Sequence, residues 1–179
     1  SVSREHQIVV GTDGVITVAG GKLTTYRKMS KEVVDMAVKM LRLANQLPGR
    51  PLFDAHTDRE PLPGAQGWPG DDDHERVAAQ IHQRAGGAIT PATARLLTNT
   101  YGVLGLQVAG LVRETPSLAR PLVKGRPEIL AQVDWAVERE LAATVTDVLE
   151  RRTQLFYRAH DQGLAASELV ADRMAELLG

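Results

Sequence analysis

The residues with the most chemical content lie in one short run, Gly20-Gly21-Lys22-Leu23-Thr24-Thr25-Tyr26-Arg27. Two adjacent glycines let a backbone approach a ligand closely. A helix that starts beyond them offers N–H groups without intrahelical partners and the positive end of its dipole, which suits phosphate or a developing anion. Lys22 adds a full charge at the same point. The run also fits a reading without a ligand, in which the glycines end a strand, Thr24 caps the helix and Lys22 is solvated. Neither common nucleotide-loop spacing is present: no Gly-Lys-Ser/Thr closes a four-residue gap, and there is no GxGxxG.

Other candidates have simpler explanations. His74 and His82 share a helix face but are eight residues apart, whereas metal pairs usually sit three or four apart, so no metal site is expected. Asp71-Asp72-Asp73 puts negative charge where the next helix has its positive end. Arg151-Arg152 belongs at a helix C-terminus, with Arg151 in i,i+4 reach of Asp147. The spacing supports no Ser–His–Asp set and no pair of catalytic carboxylates.

The elements that must position the glycine run are legible. Gln7-Ile8-Val9-Val10 and Val15-Ile16-Thr17-Val18-Ala19 flank Gly11-Thr12-Asp13-Gly14, which reads as a β-hairpin. Met29, Val33, Met36 and Met40 then recur at helical spacing, predicting a helix over 24–44. Residues 46–70, with Pro48-Gly49, Pro51, Pro61, Pro63-Gly64 and Pro69-Gly70, read as a linker. Beyond it the signals are helical: one helix to about Arg84, one opened by Thr90-Pro91 and running to Tyr101, and one over about 103–113. The longest is expected from Pro127 through Val148, with a bend or break near Ala142-Ala143, and the last from Ala165 to Leu178. The expected fold is mainly α: a bundle of five or six helices over 71–179, preceded by a β-hairpin, a Gly-Gly turn and a helix over 1–45.

Composition agrees. Of 179 residues, 43% are hydrophobic and 24% charged, near the globular average, and only 4% are aromatic, so the core must be built from Leu, Val and Ala. Residues 1–50 hold eight Lys/Arg against four Asp/Glu, and 51–179 hold thirteen against eighteen: a basic head on an acidic body. A net charge of −1 argues against a nucleic-acid partner bound by bulk electrostatics. No leader and no apolar run near the ~20 residues of a membrane span is read in the sequence. Zero cysteines exclude disulfides and thiolate chemistry and fit a reducing, cytoplasmic setting.

The thirteen residues Ile16-Thr17-Val18-Ala19-Gly20-Gly21-Lys22-Leu23-Thr24-Thr25-Tyr26-Arg27-Lys28 resemble the last flavin-contacting segment of FAD-dependent glycerol-3-phosphate dehydrogenases. Leu96-x-x-x-x-Tyr101-Gly102, Glu128-Ile129, Trp135-Ala136-Val137 and Thr146-Asp147-Val148-Leu149-x-Arg151-Arg152-Thr153 resemble the helical C-terminal domain of the same family. So does the tail from Leu164-Ala165-Ala166 to Gly179.

The resemblance implies a flavoenzyme of glycerol metabolism that oxidises sn-glycerol 3-phosphate to dihydroxyacetone phosphate. Hydride passes to FAD and electrons go on to a membrane quinone, or to oxygen in the oxidase branch. It implies cofactor contacts at Gly20, Gly21, Lys22, Leu23 and Thr24, a catalytic and substrate-binding role for Lys22, and a substrate-binding role for Arg4 in Ser3-Arg4-Glu5. His6 is not promoted to the family's catalytic histidine. Residues 1–45 would be the end of an FAD-binding α/β domain whose remainder, upstream of Ser1, is a required partner. The chain alone is therefore expected to bind neither FAD nor substrate strongly and to be inactive. A homodimer and peripheral association with the inner face of the cell membrane are expectations for the whole enzyme. The rival from another class is a helical module for binding or oligomerisation, without catalysis.

Overall fold

The computed structural model describes residues 5–49, 51, 53 and 55–179, which form two compact units, Ser1–Pro61 and Leu62–Gly179. The division falls inside the stretch read as a linker. Residues from Leu62 onward pack with the helices: Gly64 is buried, and its carbonyl accepts the Val103 amide at 2.8 Å. Gly102, at φ +59°, lies so close that a Cβ there would stand 2.3 Å from the Gly64 oxygen. The helical unit therefore begins about nine residues earlier than the helix signals alone indicate.

In the first unit, strands β1 (His6–Val10) and β2 (Ile16–Gly20) are antiparallel, with His6 opposite Gly20 and Val10 opposite Ile16. Gly14 takes φ +82° in the turn, and Asp13 accepts the Val15 amide at 3.1 Å. A 3-10 turn over Leu23–Thr25 leads into α1 (Tyr26–Leu43), the longest helix of the described residues. Met29, Val33, Met36 and Met40 are half-buried and no residue of α1 is fully buried. Val18, Tyr26, Met29, Val33 and Val34 line a shallow apolar groove of about 370 Å³.

The second unit is a helical bundle: α2 (His74–Arg84), α3 (Pro91–Tyr101), α4 (Gly105–Glu114), α5 (Ala131–Glu140), the short α6 (Leu155–Arg158) and α7 (Ser167–Leu178). Asp73 caps α2 by accepting the Arg76 amide at 2.9 Å, and Thr90 caps α3 by accepting the Thr93 amide at 3.1 Å, with Pro91 behind it. One core joins Ile81, Leu97, Val108 and Val112 of α2, α3 and α4 with Ile129, just before α5. A second joins Val133, Val148, Leu155, Val170 and Met174.

The expected long helix is shorter than its hydrophobic period. It starts at Ala131 rather than Pro127 and stops at Glu140, because Leu141 turns left-handed (φ +57°). The amides of Leu141 and Ala142 both reach back to the Ala136 carbonyl. Thr144 and Asp147 then start a new turn reciprocally: the Asp147 amide donates to the Thr144 hydroxyl at 3.1 Å, and the Thr144 amide to the Asp147 carboxylate at 2.9 Å. That turn, Asp147–Arg152, is π-helical. Arg152 closes the end of α5 by donating to the Glu140 carbonyl at 2.7 Å.

Candidate functional site

The glycine run forms a corner between β2 and α1. Gly20 ends β2 at φ +80° and Gly21 follows at φ +88°, two consecutive left-handed residues that only glycine adopts readily. Space enforces the same choice. A Cβ on Gly20 would stand 2.8 Å from the Glu5 carbonyl oxygen, and one on Gly21 would stand 2.6 Å from the Met29 sulfur. These glycines are walled by β1 on one side and α1 on the other, so they bring the chain tightly onto its own scaffold.

Beyond the corner the surface opens. Lys22, Leu23 and Thr24 are all exposed, Leu23 to 88%. Lys22 is extended, and its carbonyl accepts both the amide and the hydroxyl of Thr25, at 3.0 and 2.9 Å. Thr25, rather than Thr24, thus ties the start of the helix. The first amides of this turn have no intrahelical acceptor by geometry, and they sit beside the Lys22 charge. Arg27, one turn on, donates to the Glu60 carbonyl at 2.7 Å. Arg4 and its neighbour Ser3 lie outside the described residues.

His6 and Glu32 belong to this corner although nothing local in the sequence marks them. His6 Nε2 lies 2.6 Å from Glu32 Oε2, joining β1 to the second turn of α1 across 26 residues. The His6 side chain is 17% exposed, and its Cβ is 3.3 Å from where a Gly21 Cβ would be. The readable signal was a histidine entering a strand opposite Gly20, which becomes meaningful only once the register is known.

The helical unit holds polar groups of a different character. Asp71 pairs with Arg76 at 2.6 Å and Asp72 accepts the Trp68 indole N–H at 2.6 Å, so the acidic triplet is engaged in entering α2. His74 contacts Asn99 and the Trp68 ring, while His82 lies at the other end of the helix. The Asp147–Arg151 pair forms at 2.9 Å, as the i,i+4 spacing predicts. A cleft of about 560 Å³ is bordered by Trp68, Asp72, Asn99, Tyr101 and Glu140. Burial pushes the Glu140 carboxyl up, against the pull of Arg152 with Nε 3.5 Å away. Burial likewise pushes up the Tyr101 phenol, whose oxygen accepts from Gln132 at 3.2 Å. Tyr101 is bonded to Gln132, whereas the buried Glu140 Oε2 faces Arg152 without a hydrogen-bond partner among the described residues.

Comparison with known proteins decides the family. A profile described as the C-terminal domain of alpha-glycerophosphate oxidase matches residues 55–179. The chain belongs to that family. It is also similar, over nearly its whole length, to proteins named glycerol-3-phosphate dehydrogenase. The one from Mycobacterium leprae is 30% identical over 178 residues, 99% of this chain and 28% of the relative. The Synechocystis protein is 29% identical over 183 residues, 100% of this chain and 31% of the relative. The mitochondrial protein of Mus musculus is 33% identical over 185 residues, 100% of this chain and 23% of the relative. The chain therefore spans less than a third of the length of these relatives. The family's helical domain corresponds to the second unit with a few preceding residues. The glycine corner lies outside the family match but inside the alignments with the dehydrogenases. Among the described residues, no helix is long and apolar enough to cross a membrane.

Proposed function

We propose that this chain is the C-terminal part of an oxidoreductase that oxidises sn-glycerol 3-phosphate to dihydroxyacetone phosphate with FAD as hydride acceptor, passing electrons to a quinone. The observation that carries the reading is the Gly20-Gly21-Lys22 corner, joined in one chain to a helical domain of the glycerophosphate oxidase family. The uncovered apolar face of the hairpin and α1 supports its being one piece of a larger flavin domain.

The residues at the corner suit FAD. A flat, electron-poor ring needs a close backbone, an apolar contact and a positive environment where charge builds on reduction. Gly21 and Lys22 offer the backbone, the exposed Leu23 side chain the apolar contact, and Lys22 with the first amides of the helix the positive field. FAD, when bound there, would supply the two-electron acceptor. Lys22 would hold the substrate phosphate or its reacting end by charge, and Arg4, from the sequence pattern, would add a planar cationic fork to phosphate recognition. Peripheral membrane contact and a homodimer belong to the same proposal for the whole enzyme.

A second reading differs only in the acceptor: the matching family is named for an oxidase, which favours oxygen. Anaerobic reduction of the natural flavoprotein by sn-glycerol 3-phosphate, followed by mixing with oxygen or with a short-chain quinone, tests both. Rapid reoxidation by the quinone supports the dehydrogenase, and rapid reoxidation by oxygen with hydrogen peroxide formed supports the oxidase. A protein that binds no flavin overturns the proposal.

A further inference from the structure

We propose that His6 and Glu32 are a pair of positioning residues that clamp β1 to α1 and so hold the Gly20-Gly21-Lys22 corner in its working shape; this rests on the function proposed above. The corner has two left-handed residues in succession and an exposed lysine, a backbone with little intrinsic preference for one geometry. Two walls restrict it. One is Met29 on α1, whose sulfur would stand 2.6 Å from a Gly21 Cβ. The other is His6 on β1, opposite Gly20 in the strand register and with its Cβ 3.3 Å from the same point.

Those walls belong to different elements, and the 2.6 Å contact between His6 Nε2 and Glu32 Oε2 ties them together. A carboxylate can only accept, so Nε2 carries the proton and the bond is charge-assisted. Lys28, one turn earlier on α1, stands 3.8 Å from the other Glu32 oxygen, an exposed i,i+4 charge beside the pair. The His6 and Glu32 side chains are 17% and 38% exposed, against 81% and 71% for the Arg59–Asp58 pair. The clamp reaches the chemistry by fixing where Lys22 and the first helical amides stand. An error of about 1 Å in such a constellation is enough to cost on the order of 100-fold in rate.

The test compares His6→Ala, Glu32→Ala and the reciprocal double variant His6→Glu/Glu32→His in the natural flavoprotein, with kcat/KM for sn-glycerol 3-phosphate normalised to bound flavin. The expected result is a loss of about 10-fold or more in each alanine variant with flavin content kept, and recovery of most of it in the reciprocal variant. Unchanged kcat/KM per flavin, whether or not less flavin is retained, overturns the proposal. A second arm needs no turnover. In the 179-residue chain, hydrogen exchange of the Thr25 amide, which bonds the Lys22 carbonyl, should quicken about 10-fold in Glu32→Ala. Unchanged exchange overturns the clamp. A wild-type flavoprotein inert toward sn-glycerol 3-phosphate overturns the proposed function instead, and the exchange arm still decides the clamp.

Discussion

Asp134 and Arg173 meet in a two-pronged pair at 2.8 and 2.6 Å although 39 residues separate them, and this pair fastens α7 to α5. The Asp134 side chain is 6% exposed, so its charge has little water to fall back on. Arg173 also reaches Glu176 on its own helix, which pre-orients the guanidinium. Such a pair contributes little relative to a well-packed apolar substitute, but losing one partner strands the other.

The first prediction follows from that asymmetry. Arg173→Met should destabilise the chain by roughly 3 kcal/mol, lowering the melting temperature by on the order of 10 °C. The double variant Asp134→Leu/Arg173→Met should recover most of the loss. Thermal unfolding followed by circular dichroism reads both, and a double variant as unstable as the single one would count against the stranded-charge account.

A second prediction concerns the break after α5. Leu141 holds φ +57° with its side chain 86% exposed, so it contributes little packing and bears the cost of a left-handed backbone. Leu141→Gly should therefore stabilise the chain by about 1 kcal/mol. In an unbroken helix the same change would destabilise it by about 1 kcal/mol. The sign of the shift in the urea midpoint distinguishes the two.

This break shows where the sequence was readable and where it was not. The hairpin, the Gly-Gly-Lys corner and the start of α3 at Thr90-Pro91 announce themselves because the deciding chemistry lies within four residues. Leu130, Val133, Val137, Leu141, Val145 and Val148 keep helical spacing straight through the break, so periodicity alone predicts one helix, and the bend or break expected near Ala142-Ala143 falls at Leu141. The reciprocal bonds of Thr144 and Asp147 override it, and Val148 is still buried, from a new turn. Pairs such as His6–Glu32 and Asp134–Arg173 have no local signal at all, since their spacing of 26 and 39 residues acquires meaning only from register and packing. The glycines were legible, but their tightest neighbours, Met29 and the Glu5 carbonyl, were not.

A third prediction is a pH dependence. The Thr144 hydroxyl and the Ala143 and Thr144 amides hold the Asp147 carboxyl below the usual carboxylate range, with Arg151 adding to the effect. A depressed folded value means the unfolded chain takes up the proton first as pH falls. Its contribution is fully present above the ordinary Asp value of about 3.9 and is lost as pH drops through the lower folded value. Asp147→Asn should therefore lower the urea midpoint at pH 7, and the gap to wild type should close below about pH 4. A gap that stays constant down to acid unfolding would contradict this.

The most direct test of the central claim is anaerobic mixing of the natural flavoprotein with sn-glycerol 3-phosphate, comparing wild type with Lys22→Met. Lys22 is exposed and makes no side-chain bond among the described residues, so its removal should leave folding intact, and the rates are compared per bound flavin. The account predicts that the flavin band near about 450 nm bleaches rapidly in wild type and at least about 100-fold more slowly in the variant. Equal bleaching rates in both, or a wild-type flavin that sn-glycerol 3-phosphate does not reduce, would contradict it.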